Sequence, residues 1–368
     1  MIKRILSILP VLVACLFHAA VLHGAEAKPA WQVEWEKTVE GARKEGQLVI
    51  YGQAGDERIY VDAFQRAFPA IRVNYLSGRM SQLVSRIMAE RRAGKYLADL
   101  AVGGTTIPLE NLKPAGVLEP IRALLILPEV LDTSAWFNKK LWFADTEEKY
   151  VVLWRGSVVP LFSINTKLAK AEDFKTYSDL LKPKWKGKMV ALDPRRPGNA
   201  ANLTVFIYFT PSLGPKFLKH LFGEMDMTFS HDRYQIVDWL AGGKFAINLF
   251  SPLRKDDITA GLPIAEINVD GPTPLGAGAA SASLLSRAPH PNAARVFLNW
   301  LLSREGQIAY QKASGNNSLR TDITKKGIVD PAEIPQEGRE YFFYSLEEHD
   351  RKQQDKEFKQ FLDEVIPR

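Results

Sequence analysis

Apolar residues along this chain repeat with two periods, and the switches between them mark out the elements. Trp35, Val39 and Ala42 fall at helical spacing before Gly46, and Gln47-Leu48-Val49-Ile50-Tyr51 is then a nearly continuous apolar run. A short run of this kind fits a strand buried on both faces. Tyr60, Ala63, Phe64, Ala67 and Phe68 predict a helix that Pro69 stops, and Ile71, Val73 and Tyr75 alternate as a second strand. Met80, Leu83, Val84, Ile87 and Met88 form the stripe of another helix, closed near Gly94, before a third strand over Asp99-Leu100-Ala101-Val102. Strand, helix, strand, helix, strand in this rhythm predicts an α/β fold with a parallel sheet.

The same signals continue downstream. Strands are expected at Phe162–Thr166, Met189–Leu192, Phe245–Ser251 and Ile264–Val269, with helices over Ala200–Phe209 and Asp232–Leu240. Gly276 to Gln307 combines a Gly/Ala/Ser strand, a Pro-containing turn and an amphipathic helix with Ala293, Val296, Phe297, Trp300 and Leu301 on one face. Ser303 is the expected N-cap of the helix after it. Glu333 to Arg368 is charged, with Phe358, Phe361, Leu362 and Val365 on one helical face, and is expected to pack on the second half of the fold.

Length supports two folding units: 368 residues, of which 46% are apolar and 24% charged. Residues 1–27 read as a cleaved export signal. Lys3-Arg4 precede an apolar run to Leu22, and Ala25-Glu26-Ala27 is a small-x-small cleavage site. The one cysteine, Cys15, lies inside this segment in Leu12-Val13-Ala14-Cys15, which resembles a lipobox; lipid anchoring there is the alternative to cleavage after Ala27. The remaining chain has no thiol, which suits an oxidising compartment. The net charge of +6 is spread over scattered Lys and Arg, and no nucleic-acid partner is expected.

Catalytic signatures are missing: no G-x-S-x-G, P-loop, H-E-x-x-H or C-x-x-C occurs, and His220, His231, His290 and His349 do not fall at ligand spacing. The chain is therefore expected not to be an enzyme, with no cofactor and no resident metal. The candidate chemistry sits in loops at the carboxyl ends of the predicted strands, where parallel sheets hold ligands. Tyr51 and Gln53 follow the first strand, Ser77, Gly78, Arg79 and Ser81 the second, and Gly104 and Thr105 the third. Ser77 to Ser81 opens a helix, so its free N–H groups can receive an anion, with Arg79 as a charged fork. Trp154 and Arg155 follow the apolar run Tyr150-Val151-Val152-Leu153. Arg195, Gly198 and Asn199 lie in the loop after Met189–Leu192, and Asn248 and Ser251 close a later strand. Arg155 reads equally as a ligand contact or an inter-lobe salt bridge, and only one of Arg195 and Arg196 is expected to face a cleft.

From Trp31 to about Asp322 the chain resembles the extracellular solute-binding group that includes the ferric-iron, thiamine, polyamine and phosphonate receptors of ABC importers. The resemblance rests on "LVIY", "VNYLSGRMSQLVSRIMAERRAGK", "ADLAVGG", "GVLEP", the strand Phe162–Thr166, and the return segment "APHPNAA" with "LLSREGQ". It implies a two-lobed periplasmic-binding-protein fold with a ligand cleft between the lobes and crossover hinge strands. One lobe would comprise 28–153 with 271–303, and the other 154–270 with 304–368. It further implies a monomeric periplasmic receptor with two partners, a small-molecule solute and an inner-membrane ABC permease. The arginines favour a small organic anion such as a carboxylate or phosphonate. In the ferric receptors an adjacent tyrosine pair holds iron, whereas the corresponding stretch here is Asn248-Leu249-Phe250-Ser251; an iron site would need Tyr208 or Tyr234 instead. The same scaffold would also suit a chemosensory receptor or an enzyme.

Overall fold

The computed structural model describes residues 28–366 except 55, 56, 197, 254, 279 and 354, so the expected export signal and Cys15 lie outside the described residues. Two mixed sheets carry the molecule. In the first, β1 (Gln47–Gln53) pairs in parallel with β2 (Arg72–Gly78) and β3 (Leu100–Gly103). The sheet is completed by β13 (Ser281–Leu285), antiparallel to β3, β4 (Leu118–Glu119) and β5 (Val151–Leu153). β3, β5 and β13 are buried throughout, which explains their unbroken apolar or small-residue runs. The second sheet has the order β11-β7-β10-β8-β9, built from β7 (Phe162–Asn165), β8 (Met189–Leu192), β9 (Thr228–Ser230), β10 (Ile247–Leu249) and β11 (Ile264–Ile267).

Each sheet has its own core. The first gathers Leu48, Ile50, Phe64, Val102, Phe297 and Trp300; the second gathers Phe162, Met189, Phe206, Leu221, Ile247 and Phe250. Phe64 meets Phe297 and Trp300 edge-on at 5.1 and 5.3 Å, an arrangement that adds about 0.5–1.5 kcal/mol per pair beyond burial. Asp99, fully buried at the edge of β3, accepts from the Val49 N–H at 2.7 Å, the His290 N–H at 2.7 Å and the His290 ring at 2.9 Å. It thereby fastens the start of helix Pro291–Leu302 to β1. Glu45 caps the same helix, accepting from the N–H groups of Asn292 and Ala293 at 3.1 and 2.8 Å.

Between the sheets lies a third, in the order β14-β12-β6. The chain leaves the first sheet through β6 (Ser157–Val158) and returns through β12 (Thr273–Gly276), and these two pair antiparallel. β14 (Tyr341–Phe343) joins β12 in parallel as a third strand.

Two expectations change. Helix Arg304–Ser314 packs on helices Glu57–Ala67 and Pro291–Leu302, and Tyr310 and Leu319 enter the first core, whereas the sequence assigns 304–368 to the second unit. The C-terminal stretch is also not one helical layer. Helix Lys356–Val365 does bury Phe358 and Leu362 in the second core, but Tyr341–Phe343 is a strand of the hinge sheet.

Candidate functional site

The parallel pairing of β1 with β2 and β3 brings their carboxyl ends to one edge, with Gly52 opposite Val102 and Gln53 opposite Gly78. That edge forms one wall of a cavity of about 370 Å³, through Gln53, Met80 and the run Gly104 to Ile107. The facing wall is the start of helix Asn199–Phe209, contributed by Gly198, Asn199 and Asn202. Gly278, Tyr344 and Ser345 close the back from the hinge side. The cavity therefore lies between the two sheets and touches the segment that joins them.

Its wall is made of amides, hydroxyls, glycines and apolar groups, and the charge nearby is Arg155. This half-buried arginine sits two residues after β5, and a Cβ at Gly278 would stand 2.6 Å from its Nη1, so the guanidinium lies against the cavity's back wall. Gly278, at φ +58°, leaves that space open. Arg155 Nε donates to Ser157 Oγ at 3.3 Å, and among the described residues no carboxylate lies within ion-pair distance of it. Its backbone is braced from behind. Arg155 bridges to Ser318, Asn317 Nδ2 donates to the Gly156 carbonyl at 2.6 Å, and Lys325 Nζ donates to Asn317 Oδ1 at 2.6 Å and to the Ser318 carbonyl at 2.7 Å.

Across the cavity, Tyr344 Oη donates to Asn199 Oδ1 at 3.3 Å, and Asn199 Nδ2 donates to the Phe250 carbonyl at 3.4 Å. Burial pushes the Tyr344 phenol up to about 12, with the Arg155 charge pulling the other way, so it is neutral at physiological pH. The helix at Asn199 begins on Gly198 with no side-chain cap, so its first N–H groups open toward the cavity.

Residues 52–308 match the model of the bacterial extracellular solute-binding proteins. The chain belongs to that family. Members of this family are bacterial extracellular solute-binding proteins. Solved structures share the two-lobed fold at low identity. A Trichodesmium FutA (IdiA) in complex with iron and citrate superposes at a TM-score of 0.63 with 17% identity, over 87% of this chain and 99% of that one. A Bordetella ferric binding protein gives 0.62 at 19%, over 87% and 98%. AfuA from Actinobacillus pleuropneumoniae, with fructose-6-phosphate bound, gives 0.58 at 18%, also over 87% and 98%. In sequence, iron uptake protein A1 of Synechocystis is 26% identical over 124 residues, which is 33% of this chain and 30% of that relative.

In this solute-binding fold, Gln53, Gly104, Thr105, Gly198 and Asn199 line the cavity, and Arg155 stands behind it. Other candidates lie elsewhere, each for a physical reason. Tyr51 is core: its hydroxyl donates to Glu90 Oε1 at 2.8 Å and Arg86 covers its ring. Trp154 is fully buried edge-on against Tyr310. Arg195 is committed to the buried Asp193, with Nε 3.0 Å from Oδ1; burial works against that carboxylate, yet Arg195 outweighs it and holds its pKa low. Ser77, Arg79 and Ser81 are exposed outside the wall, and Gly78 packs on Leu83, so Met80 is what this helix start contributes.

Asn248 and Ser251 are buried one layer below the wall. Asn248 Nδ2 donates to Ser163 Oγ at 2.9 Å and to the Ser251 carbonyl at 2.7 Å. Tyr208 belongs to an aromatic cluster with Phe209, Phe358 and Phe361, and Tyr234 is exposed; neither lines the cavity. Sequence reading missed Ile107, Asn202, Tyr344 and Ser345. Asn202 sits one turn beyond Asn199 and was within reach of helical spacing; Tyr344 carries no local signal at all.

Proposed function

We propose that this receptor captures a small organic anion, a carboxylate or a phosphonate, by closing its two lobes on the cavity, and delivers it to an inner-membrane permease. The observation that carries the reading is Arg155: a half-buried cation at the back of a neutral cavity, with no carboxylate in ion-pair distance among the described residues. A partly desolvated cation of this kind gains most from an anionic ligand. The uncapped start of helix Asn199–Phe209 on the facing wall adds donors and the positive end of a helix dipole. The ligand would thus be held from both lobes, which favours the closed form. We place the receptor in the periplasm, with residues 1–27 removed on export; N-terminal sequencing of the secreted chain should begin at Lys28.

The test compares two arginines after unfolding and refolding to remove carried-over ligand. Against a panel of carboxylates and phosphonates, Arg155→Ala should weaken binding by at least about tenfold, while Arg79→Ala stays within about twofold. Unchanged affinity in Arg155→Ala would remove the basis of the proposal.

A second reading is an iron receptor, favoured by the relatives whose names mention iron. Fe³⁺ prefers anionic oxygen ligands, and among the described residues the cavity wall offers one phenol, Tyr344, and no carboxylate. Iron carried by an anionic chelator fits this wall better than the bare ion. A visible absorption band in protein titrated with ferric nitrilotriacetate would favour iron, and a colourless protein that binds the free acid would favour the anion.

A further inference from the structure

We propose that Tyr344 is a specificity-determining residue of this cleft: its phenol donates a hydrogen bond to the anionic oxygen that Arg155 attracts. The inference rests on the cleft reading above and deepens it by naming the atom that recognises the solute.

Tyr344 reaches the cavity from an element that belongs to the hinge. β14 runs beside β12, with Thr273 opposite Tyr341 and Leu275 opposite Phe343. The next residue, Tyr344, donates its N–H to the Leu275 carbonyl at 3.1 Å, and Ser345 Oγ accepts from the Ala277 N–H at 2.9 Å. The backbone on both sides of the phenol is therefore tied to the return strand. Farther on, Glu347 accepts from Lys113 Nζ at 2.8 Å and from the Thr146 N–H at 2.9 Å, which anchors the strap to the first lobe.

The ring is aimed by a missing side chain. A Cβ at Gly276 would stand 2.2 Å from Tyr344 Oη, so only glycine lets the phenol lie across β12 and face the cavity. Its hydroxyl is held loosely: the contact to Asn199 Oδ1 is 3.3 Å, long for an O–H···O bond, whose usual length is about 2.7–2.8 Å. Asn199 also lines the cavity, so an anionic oxygen can replace a weak acceptor with a strong one. As a protonated phenol lining the cavity, Tyr344 offers an O–H donor to an oxyanion.

Mature protein, refolded free of ligand, is titrated calorimetrically with citrate, inorganic phosphate, fructose 6-phosphate and ferric nitrilotriacetate. The wild type should bind an oxyanion. Tyr344→Phe should keep the wild-type unfolding temperature and lose at least about tenfold in affinity for the same probe, the lower end for a hydrogen bond to a charged group. Tyr341→Phe is the control. Tyr341 lies in β14 just before Tyr344, but its hydroxyl accepts from the Gln336 N–H outside the cavity, so affinity should stay within about twofold. Wild-type affinity in Tyr344→Phe, with Arg155→Ala still impaired, overturns this inference and leaves the cleft reading standing. Equal losses in both tyrosine variants would also overturn it, by assigning the effect to the strap's packing. A ferric absorption band abolished in Tyr344→Phe would make the residue a phenolate metal ligand, contrary to the inference. Failure of the wild type to bind any oxyanion would overturn the cleft reading, and this inference with it.

Discussion

His349 is buried against Phe342, their ring centroids 3.8 Å apart, and its Nδ1 has no hydrogen-bond partner among the described residues. Burial, reinforced by the charge of Lys352, pushes its pKa down to about 4, even though the exposed Glu348 carboxylate lies 3.3 Å from Nε2. The unfolded chain takes up this proton near 6.5 and the folded chain only near 4. The contribution to stability is thus fully present above pH 6.5 and is lost as pH falls through about 4. Denaturation curves over that window should show a flatter pH dependence in His349→Gln than in the wild type; equal slopes would refute the assignment. Nothing in the local sequence marks this histidine as buried, because its neighbours Glu348 and Asp350 are charged. Arg195 and Arg155 make the same point in opposite directions: both looked like ligand contacts, but one is neutralised by Asp193 and the other is not.

At the scale of elements, legibility follows burial. β1 and β3 were readable because central strands largely buried on both faces give nearly continuous apolar runs. Helix Pro291–Leu302 was readable because its stripe faces one core, and Ser303 caps the next helix as its position suggests, its Oγ accepting from the Gly306 N–H at 3.1 Å. What that second helix packs against was not readable, since an amphipathic stripe names no partner. Gly306 shows how closely it approaches its neighbour. A Cβ there would lie 2.0 Å from the Trp300 carbonyl oxygen, a backbone atom that cannot swing aside. Gly306→Ala should therefore destabilise by roughly 1–3 kcal/mol, the range for overpacking, measured by chemical denaturation. A neutral substitution would mean that the two helices separate freely.

At the scale of the molecule, two cores are joined through a sheet whose strands, β6, β12 and β14, have two, four and three residues. So short a connection is where one lobe would be expected to rotate against the other on ligand binding. Small-angle scattering should show the radius of gyration falling when a binding anion is added, and no such fall with Arg155→Ala. Compaction that persists in that variant would place the contact that drives closure elsewhere.

The sequence by itself determined the α/β class, the order of the elements and the strand-end loops from which the cavity is drawn, because these follow from local periodicity and from glycine and proline punctuation. Tertiary structure alone decided that Arg304–Ser314 joins the first core, that Tyr341–Phe343 becomes a hinge strand, and which polar groups meet. Asn199 meets Tyr344, Ala277 meets Ser345 and Gly278 meets Arg155 across long stretches of chain. Such contacts are chosen by how two cores and their connecting strands pack, and no local pattern of hydrophobic and polar residues encodes them.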